Sequence, residues 1–179
     1  GGVGSITLQL AREMTDLRLI ATASREASRQ WATEQGADEV IDHREPLPTQ
    51  IAALGHGAPA FVFSTSHSDR YLKTIVDLIA PQGRIALIDD PATLDVNPLK
   101  GKSLSLHWEF MFTRPLFQTA DMARQGQILR EVARLVDDGR LRTTLTEHIQ
   151  GIDARSLREA HQRLERGDEP VEEALLGLV

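Results

Sequence analysis

Cysteine is absent from the chain, which removes disulfides, thiol catalysis and cysteine-ligated zinc together. The same absence suits a reducing compartment, so a cytoplasmic protein is expected. Basic charge is in deficit: the net charge is −6, against the surplus of Lys and Arg that a phosphate backbone requires, so no nucleic-acid partner is expected. No apolar run approaches the roughly 18 residues of a membrane span, and no secretory leader is expected at Gly1. What remains is ordinary for a globular protein: 41% hydrophobic and 26% charged residues over 179 positions, enough for one substantial core.

Apolar spacing then divides the chain into short elements. Ile6, Leu10 and Met14 lie four apart and predict a helix from about Gly4 to Arg12. "LRLIAT" (17–22) reads as a buried strand, "REASRQWATEQ" as a helix closed by Gly36, and "EVID" as a second strand. A short helix over 49–54 ends at Gly55, and "PAFVFSTS" is the next strand. Ser68 and Asp69 are expected to cap a helix whose Leu72, Ile75, Val76 and Ile79 share one face, and Pro81-Gln82-Gly83 turns the chain into "RIALID". Strands alternating with helices predict parallel βαβ units with right-handed crossovers. Beyond Asp89 the pattern changes: a longer strand in "SLSLHWEFMF", then a helix over 122–138 carrying Ile128, Val132, Leu135 and Val136. A strand in "LRTTLTEHI" follows, then a last helix capped by Asp153 with Leu157, His161 and Leu164 inward. A boundary is placed at 113–118, giving a dinucleotide-binding unit over 1–117 and a C-terminal segment over 118–179.

Two stretches carry chemistry. "GGVG" at the start of a helix lets main-chain amides approach a pyrophosphate at the positive end of the helix, although a glycine cluster alone also fits a flexible leader. About twenty residues on, where a ribose is read, stands "TASR" (Thr22 to Arg25) in place of the Asp or Glu of an NAD site. Ser24 and Arg25 attract a 2′-phosphate that a carboxylate would repel, so NADP(H) is favoured over NAD(H). A solvated Arg25 at a helix start is the plainer alternative.

"GGVGSITLQLAR", "LIATASR", "GADEVIDH", "APAFVFSTS", "LIAPQGRIALIDDP" and "SLSLHWEFMFTRP" occur in an order that resembles the medium-chain dehydrogenase/reductase superfamily. The branch they resemble most is that of the zinc-type alcohol dehydrogenase-like and quinone oxidoreductase-like enzymes. The resemblance implies a doubly wound α/β Rossmann domain from a chain about twice this length, without its first strand and without the GroES-like catalytic half that holds the substrate pocket and any zinc. It implies that Gly1, Gly2 and Gly4 are the later glycines of the dinucleotide turn, with Val3 packed on the cofactor. His43 falls near the adenosine, Ser64, Thr65 and Ser66 beside a ribose, and Ile88 and Asp89 beside the nicotinamide. Losing strand one, central in such a sheet, leaves the strands in "LRLIAT" and "PAFVFSTS" without their shared neighbour. The tail "GDEPVEEALLGLV" departs from the family's glycine-lysine pair and apolar strand.

No histidine pair has helical metal-ligand spacing, and no zinc is expected in this segment. His107 reads as a strand residue and His161 as a packing residue. Asp89-Asp90 reads as a strand exit rather than a Mg²⁺ pair, and Tyr71 as a packing or surface group. In 103–110, Leu104, Leu106 and Trp108 alternate with Ser103, Ser105 and His107, and a homodimer through Ser103–Phe110 is expected, because an exposed apolar edge strand seeks a partner. The expected function is the NADP(H)-binding part of an oxidoreductase that moves hydride between nicotinamide and a carbonyl, quinone or activated alkene. No catalytic residue is assigned within the segment. The alternative is a non-catalytic nucleotide-binding or sensor module on the same fold.

Overall fold

Strand alternation and helix spacing build a three-layer α/β structure. The computed structural model describes residues 1–145, 153–166 and 176–178. In chain order the first elements are α1 (Gly2–Met14), β1 (Leu19–Thr22), α2 (Glu26–Glu34), β2 (Glu39–Ile41), α3 (Leu47–Leu54), β3 (Phe61–Ser64), α4 (Ser68–Leu78) and β4 (Arg84–Leu87). A 3-10 turn over Asn97–Lys102 leads to β5 (Ser105–Trp108), α5 (Thr113–Phe117), α6 (Arg124–Asp137), α7 (Ala154–Arg166) and β6 (Leu176–Leu178).

The sheet order is β2-β1-β6-β3-β4-β5. β1 and β2 run parallel, as do β3, β4 and β5, in register Ile20↔Glu39, Val62↔Ile85 and Ile85↔Leu106. Pleating sends alternate residues of β1 to opposite faces. Leu19 and Ala21 pack with Leu8, Ala32 and Ala37 on the side of α1 and α2. Ile20, Val62, Ile85 and Leu87 pack with Ile51, Leu72, Ile75 and Ile79 on the side of α3 and α4. Helices on both faces of a largely parallel sheet make the doubly wound architecture that the alternation predicts.

The central slot between β1 and β3, expected to lack a strand, is not open. β6 fills it, antiparallel to both neighbours, with Ile20↔Gly177 on one side and Val62↔Gly177 on the other. Unpaired amides and carbonyls along two central strands would each forfeit a hydrogen bond, and β6 supplies partners to both edges. Sequence pattern did not point to this strand, because "LGL" carries no alternation of its own.

Several other expectations shift. The first helix starts at Gly2, with Gly1 as its N-cap, so Gly2 to Gly4 are its first turn rather than a loop before it. Gly36 follows α2 at φ 116°, as a helix-closing glycine should, and a Cβ there would touch the Arg12 side chain at 3.3 Å. β5 covers four residues of the ten in "SLSLHWEFMF"; the chain then leaves the sheet, and Phe110 and Phe112 meet edge-to-face at 5.4 Å. Of the α6 stripe, Leu135 is buried while Ile128 and Val136 stay exposed. In α7 Leu157 and His161 are exposed rather than inward, because nothing described packs over them, while the Leu164 side chain lies outside the described residues. Asp153 does cap α7, accepting from the Arg155 and Ser156 N–H groups at 2.8 Å each. Residues 141–145 of the strand expected in "LRTTLTEHI" are not strand, and the remainder lies outside the described residues.

Gly83 joins α4 to β4 by close approach. A Cβ on it would stand 2.6 Å from Ile79 Cγ1 and 2.8 Å from the Ala80 carbonyl, and Ile79 is fully buried. Gly83→Ala is expected to destabilise the fold by about 1–3 kcal/mol through overpacking. A thermal melt checks this, and an unchanged midpoint would refute the close-approach account.

Candidate functional site

Parallel strands deliver their carboxyl ends to one edge of the sheet, and each helix that follows or precedes a strand in a crossover starts or ends there. That edge collects the N-terminus of α1, Ser24 and Arg25 after β1, His43 after β2, Ser64 to Ser66 after β3, and Ile88 and Asp89 after β4. The candidate residues from five separate stretches thus share one rim.

At the first of these, α1 begins without a side-chain cap and without an acidic residue in its first turn. Four main-chain N–H groups at a helix start have no intrahelical partner. Here the Ser5 N–H and Oγ both donate to the Gly1 carbonyl at 3.0 Å, and Ser5 Oγ in turn accepts from Trp31 Nε1 at 2.8 Å. That triad pins the start of α1 to α2. Gly2 and Val3 are exposed, Gly4 is buried, and a Cβ on Gly2 would meet nothing within 4 Å. At Gly2 the first turn therefore faces open space, which fits the approach of an anion to the positive helix end.

The second corner is tied by main-chain pairing that continues past the strands: the Ala23 N–H donates to the Ile41 carbonyl at 2.9 Å. Arg29 reinforces it, its guanidinium donating to the Ala23 and Val40 carbonyls. Arg25 is the N-cap residue of α2 and, like Ser24, half-buried. His43 carries a buried Nδ1 with no hydrogen-bond partner among the described residues.

Next to His43 stands a residue that motif reading passed over. Arg44 donates from Nε and Nη2 to the Asp42 carboxylate, at 3.1 and 2.7 Å, and from Nη2 to the Ser24 carbonyl at 2.7 Å. Its own N–H closes an Asx turn on Asp42 Oδ1. The Arg44 guanidinium, and after it the Arg44 main-chain N–H, draws the Asp42 carboxyl down to about 2, so the pair stays charged at neutral pH. Gln50 of α3 grips the Asp42 main chain from both sides, accepting from its N–H at 2.9 Å and donating to its carbonyl at 2.8 Å. The "D-x-R" spacing in "IDHRE" was the available sequence signal for this turn.

The third corner also differs from expectation. Ser68 does not cap α4 with its own side chain; His67, at φ 50°, is the N-cap residue and Ser68 the first helical residue. The cap comes from Asp89, beyond the end of β4. One carboxylate oxygen accepts the Ser68 N–H at 2.8 Å and the other the Ser68 Oγ at 2.5 Å. The Ser68 and Ser64 hydroxyls lie 2.8 Å apart, both fully buried. The Asp89 carbonyl accepts from Trp108 Nε1 at 3.3 Å, linking the ends of β3, β4 and β5. No local pattern could have paired Ser68 with Asp89, which stand 21 residues apart.

Among the described residues, no group of three or more His, Asp or Glu side chains is placed to hold a metal ion. His107 lies on β5, and Tyr71 packs against the core beside the Arg70 guanidinium. No helix among the described residues is long and apolar enough to cross a membrane. A groove of about 550 Å³ opens elsewhere, over the face of β3, β4 and β5 between Phe61, Phe63, Arg84 and His107.

Comparison with known proteins matches residues 2–124 to the family model described as zinc-binding dehydrogenase. A zinc-type alcohol dehydrogenase-like protein of Staphylococcus epidermidis is 39% identical over 166 residues, covering 92% of this chain and 49% of the relative. Among solved structures, a Rhizobium etli CFN 42 protein assigned as a zinc-dependent alcohol dehydrogenase is 56% identical with a TM-score of 0.89, over 94% of this chain and 49% of that one. A short chain alcohol dehydrogenase of Escherichia coli CFT073, solved in complex with NADH, shares the fold at 19% identity and a TM-score of 0.66, over 92% of this chain and 46% of that one. The chain spans about half the length of the curated relatives it matches.

Proposed function

The chain belongs to the zinc-binding dehydrogenase family, within the medium-chain dehydrogenase/reductase superfamily that its motifs resemble, and from that premise we propose that it is the NADP(H)-binding part of an oxidoreductase. The bound dinucleotide would supply hydride at nicotinamide C4, for exchange with a carbonyl, quinone or activated alkene held by the other half of the parent enzyme. Residues 1–117 form the dinucleotide-binding unit in this reading, and 118–179 join it to the catalytic half.

The observation that supports the reading is the convergence of a helix start without a side-chain cap and the Ser24-Arg25 pair on one carboxyl edge of the sheet. Gly1, Gly2 and Gly4 hold the pyrophosphate through the first amides of α1, and Val3 packs beside it. Ser24 and Arg25 take the 2′-phosphate with charge-assisted hydrogen bonds. His43 meets the adenosine, where a ligand hydrogen bond would satisfy its Nδ1, which has no partner among the described residues. Thr65 and Ser66 line a ribose and Ile88 the nicotinamide, while Ser64, expected beside the ribose, is fully buried against Ser68 and supports the loop from beneath. Asp89, whose carboxylate holds Ser68, keeps the loop between β3 and α4 in position for that contact. The segment by itself orients cofactor and is expected to turn over no substrate.

Separate titrations of NADPH and NADH, followed by calorimetry, test the reading. Tighter NADPH binding is expected. Equal affinities would remove the role given to Arg25, and binding of neither would leave the non-catalytic module on the same fold.

A homodimer through Ser103–Phe110 belongs to the same proposal. β5 is an outer strand of the sheet, and Trp108, Phe110, Met111, Phe112, Leu116 and Phe117 are all more than half exposed beside it. So large an apolar patch on a lone edge calls for a partner. Sedimentation should give a dimer mass that Leu106→Pro abolishes; a dimer that survives this substitution would move the contact elsewhere. A cytoplasmic location belongs to the same proposal and is supported by the lack of cysteine in the sequence.

A further inference from the structure

We propose that Arg44 is a second specificity-determining cation of the 2′-phosphate subsite, and that Asp42 is its built-in competitor, tuning how strongly the site prefers a phosphorylated ribose. The inference rests on the NADP(H) reading above. Its starting point is the donor inventory of one guanidinium. Arg44 has five N–H groups. Nε and Nη2 serve the Asp42 carboxylate and the Ser24 carbonyl, while Nη1 makes no hydrogen bond among the described residues. The side chain is 64% exposed. Two donors on a planar fork are therefore open to solvent, at a point fixed by a 2.7 Å bond to the residue preceding Arg25.

The fork is held in place from several directions. Gln50 grips the Asp42 main chain, the Asx turn orients the Asp42 carboxylate, and the carboxylate orients the guanidinium. A pre-oriented guanidinium loses less conformational freedom on taking up an anion than a mobile one does. A phosphate monoester carries close to two negative charges and three acceptor oxygens, which matches donors remaining after one carboxylate has been served. The same carboxylate repels that phosphate and shares the cation with it. Asp42 thus has two opposed effects, orienting Arg44 and discounting its charge. An Asn at position 42 keeps an Oδ1 acceptor for the Arg44 N–H groups and the main-chain grip of Gln50, so orientation is retained and loss of the discount is the larger effect.

The test uses this chain with two small probes, 2′,5′-ADP and 5′-AMP, which differ at the ribose 2′ position. Arg44→Ala is expected to weaken 2′,5′-ADP about tenfold, the scale of a lost charge-assisted contact, and to leave 5′-AMP unchanged. Asp42→Asn is expected to tighten 2′,5′-ADP about threefold or more, again without effect on 5′-AMP. A purely structural Arg44 would shift both probes together, or neither, and either result overturns the proposal. So does a weaker 2′,5′-ADP complex in Asp42→Asn. If Arg25→Ala lowers 2′,5′-ADP affinity while Arg44→Ala does not, this inference falls and the NADP(H) reading stands. If the unaltered chain binds the two probes equally, both fall.

Discussion

Arg25→Glu is expected to invert the cofactor preference, weakening NADPH about a hundredfold while leaving NADH at its original affinity or slightly above it. A hydrogen bond to a charged group contributes about 1.5–3 kcal/mol, and each 1.4 kcal/mol is tenfold in affinity. Removal of the guanidinium alone therefore costs roughly tenfold to a hundredfold, and the introduced carboxylate adds repulsion against the phosphate. Toward NADH the sign differs. A carboxylate at this position accepts from the ribose 2′-hydroxyl, the arrangement typical of NAD sites. Arg25 is half-buried at the start of α2, with its carbonyl accepting the Arg29 N–H at 2.9 Å, so the main chain that presents it does not depend on its side chain. Glutamate is also favourable in the first turn of a helix. Parallel titrations of NADPH and NADH on the variant check the result. A proportional loss of both would mean that the substitution disturbed the fold rather than the ribose end.

Asp89→Ala is expected to lower stability by about 2–4 kcal/mol, combining a lost helix cap with buried hydroxyls left short of an acceptor. The carboxylate receives both the Ser68 N–H and the Ser68 hydroxyl, and the Ser64 hydroxyl beside it is fully buried. Ser64 and Ser68 are both fully buried, so solvent does not hydrate them in the parent fold. For a chain of this size the melting temperature should fall by roughly 5–15 °C. Asp90→Ala, at the exposed neighbour, should stay within about 0.5 kcal/mol of the parent. Equal melting temperatures for the two variants would show that the contact with Ser68 is not energetically significant. A fall in NADPH affinity in Asp89→Ala below its melting range would place the loop between β3 and α4 against the cofactor.

Much of the candidate site was legible because its residues sit at fixed offsets from strand ends. "LIATASR" carries the strand and the pair proposed to read the ribose in seven consecutive residues, and Gly36 announces the end of α2 through a backbone angle that glycine adopts most readily. Residues that act across the sheet were not legible in the same way. Ser68 and Asp69 look like a local cap, yet the acceptor is Asp89, brought within reach only because β3 and β4 pair in parallel with Ser64 opposite Leu87. Arg44 directly follows the "GADEVIDH" stretch, and its bond to Ser24 depends on the neighbouring ends of β1 and β2. The α6 stripe erred in the opposite direction: its spacing was right for a helix, but spacing does not say how much of a face finds a partner.

By itself the sequence determined the class of fold and the order of its parallel units and pointed to the residues proposed for the phosphate and ribose ends, through local periodicity, glycine placement and side-chain charge. Tertiary structure alone decided which long-range partners meet: the carboxylate that caps α4, the guanidinium fork beside Ser24, and the strand at Leu176–Leu178 that occupies the centre of the sheet. Its choice has a physical reason. An unpaired central slot demands hydrogen-bonding partners from whatever segment can reach it, and main-chain donors and acceptors are the same in every residue but proline, so no side-chain pattern needs to advertise the segment that answers.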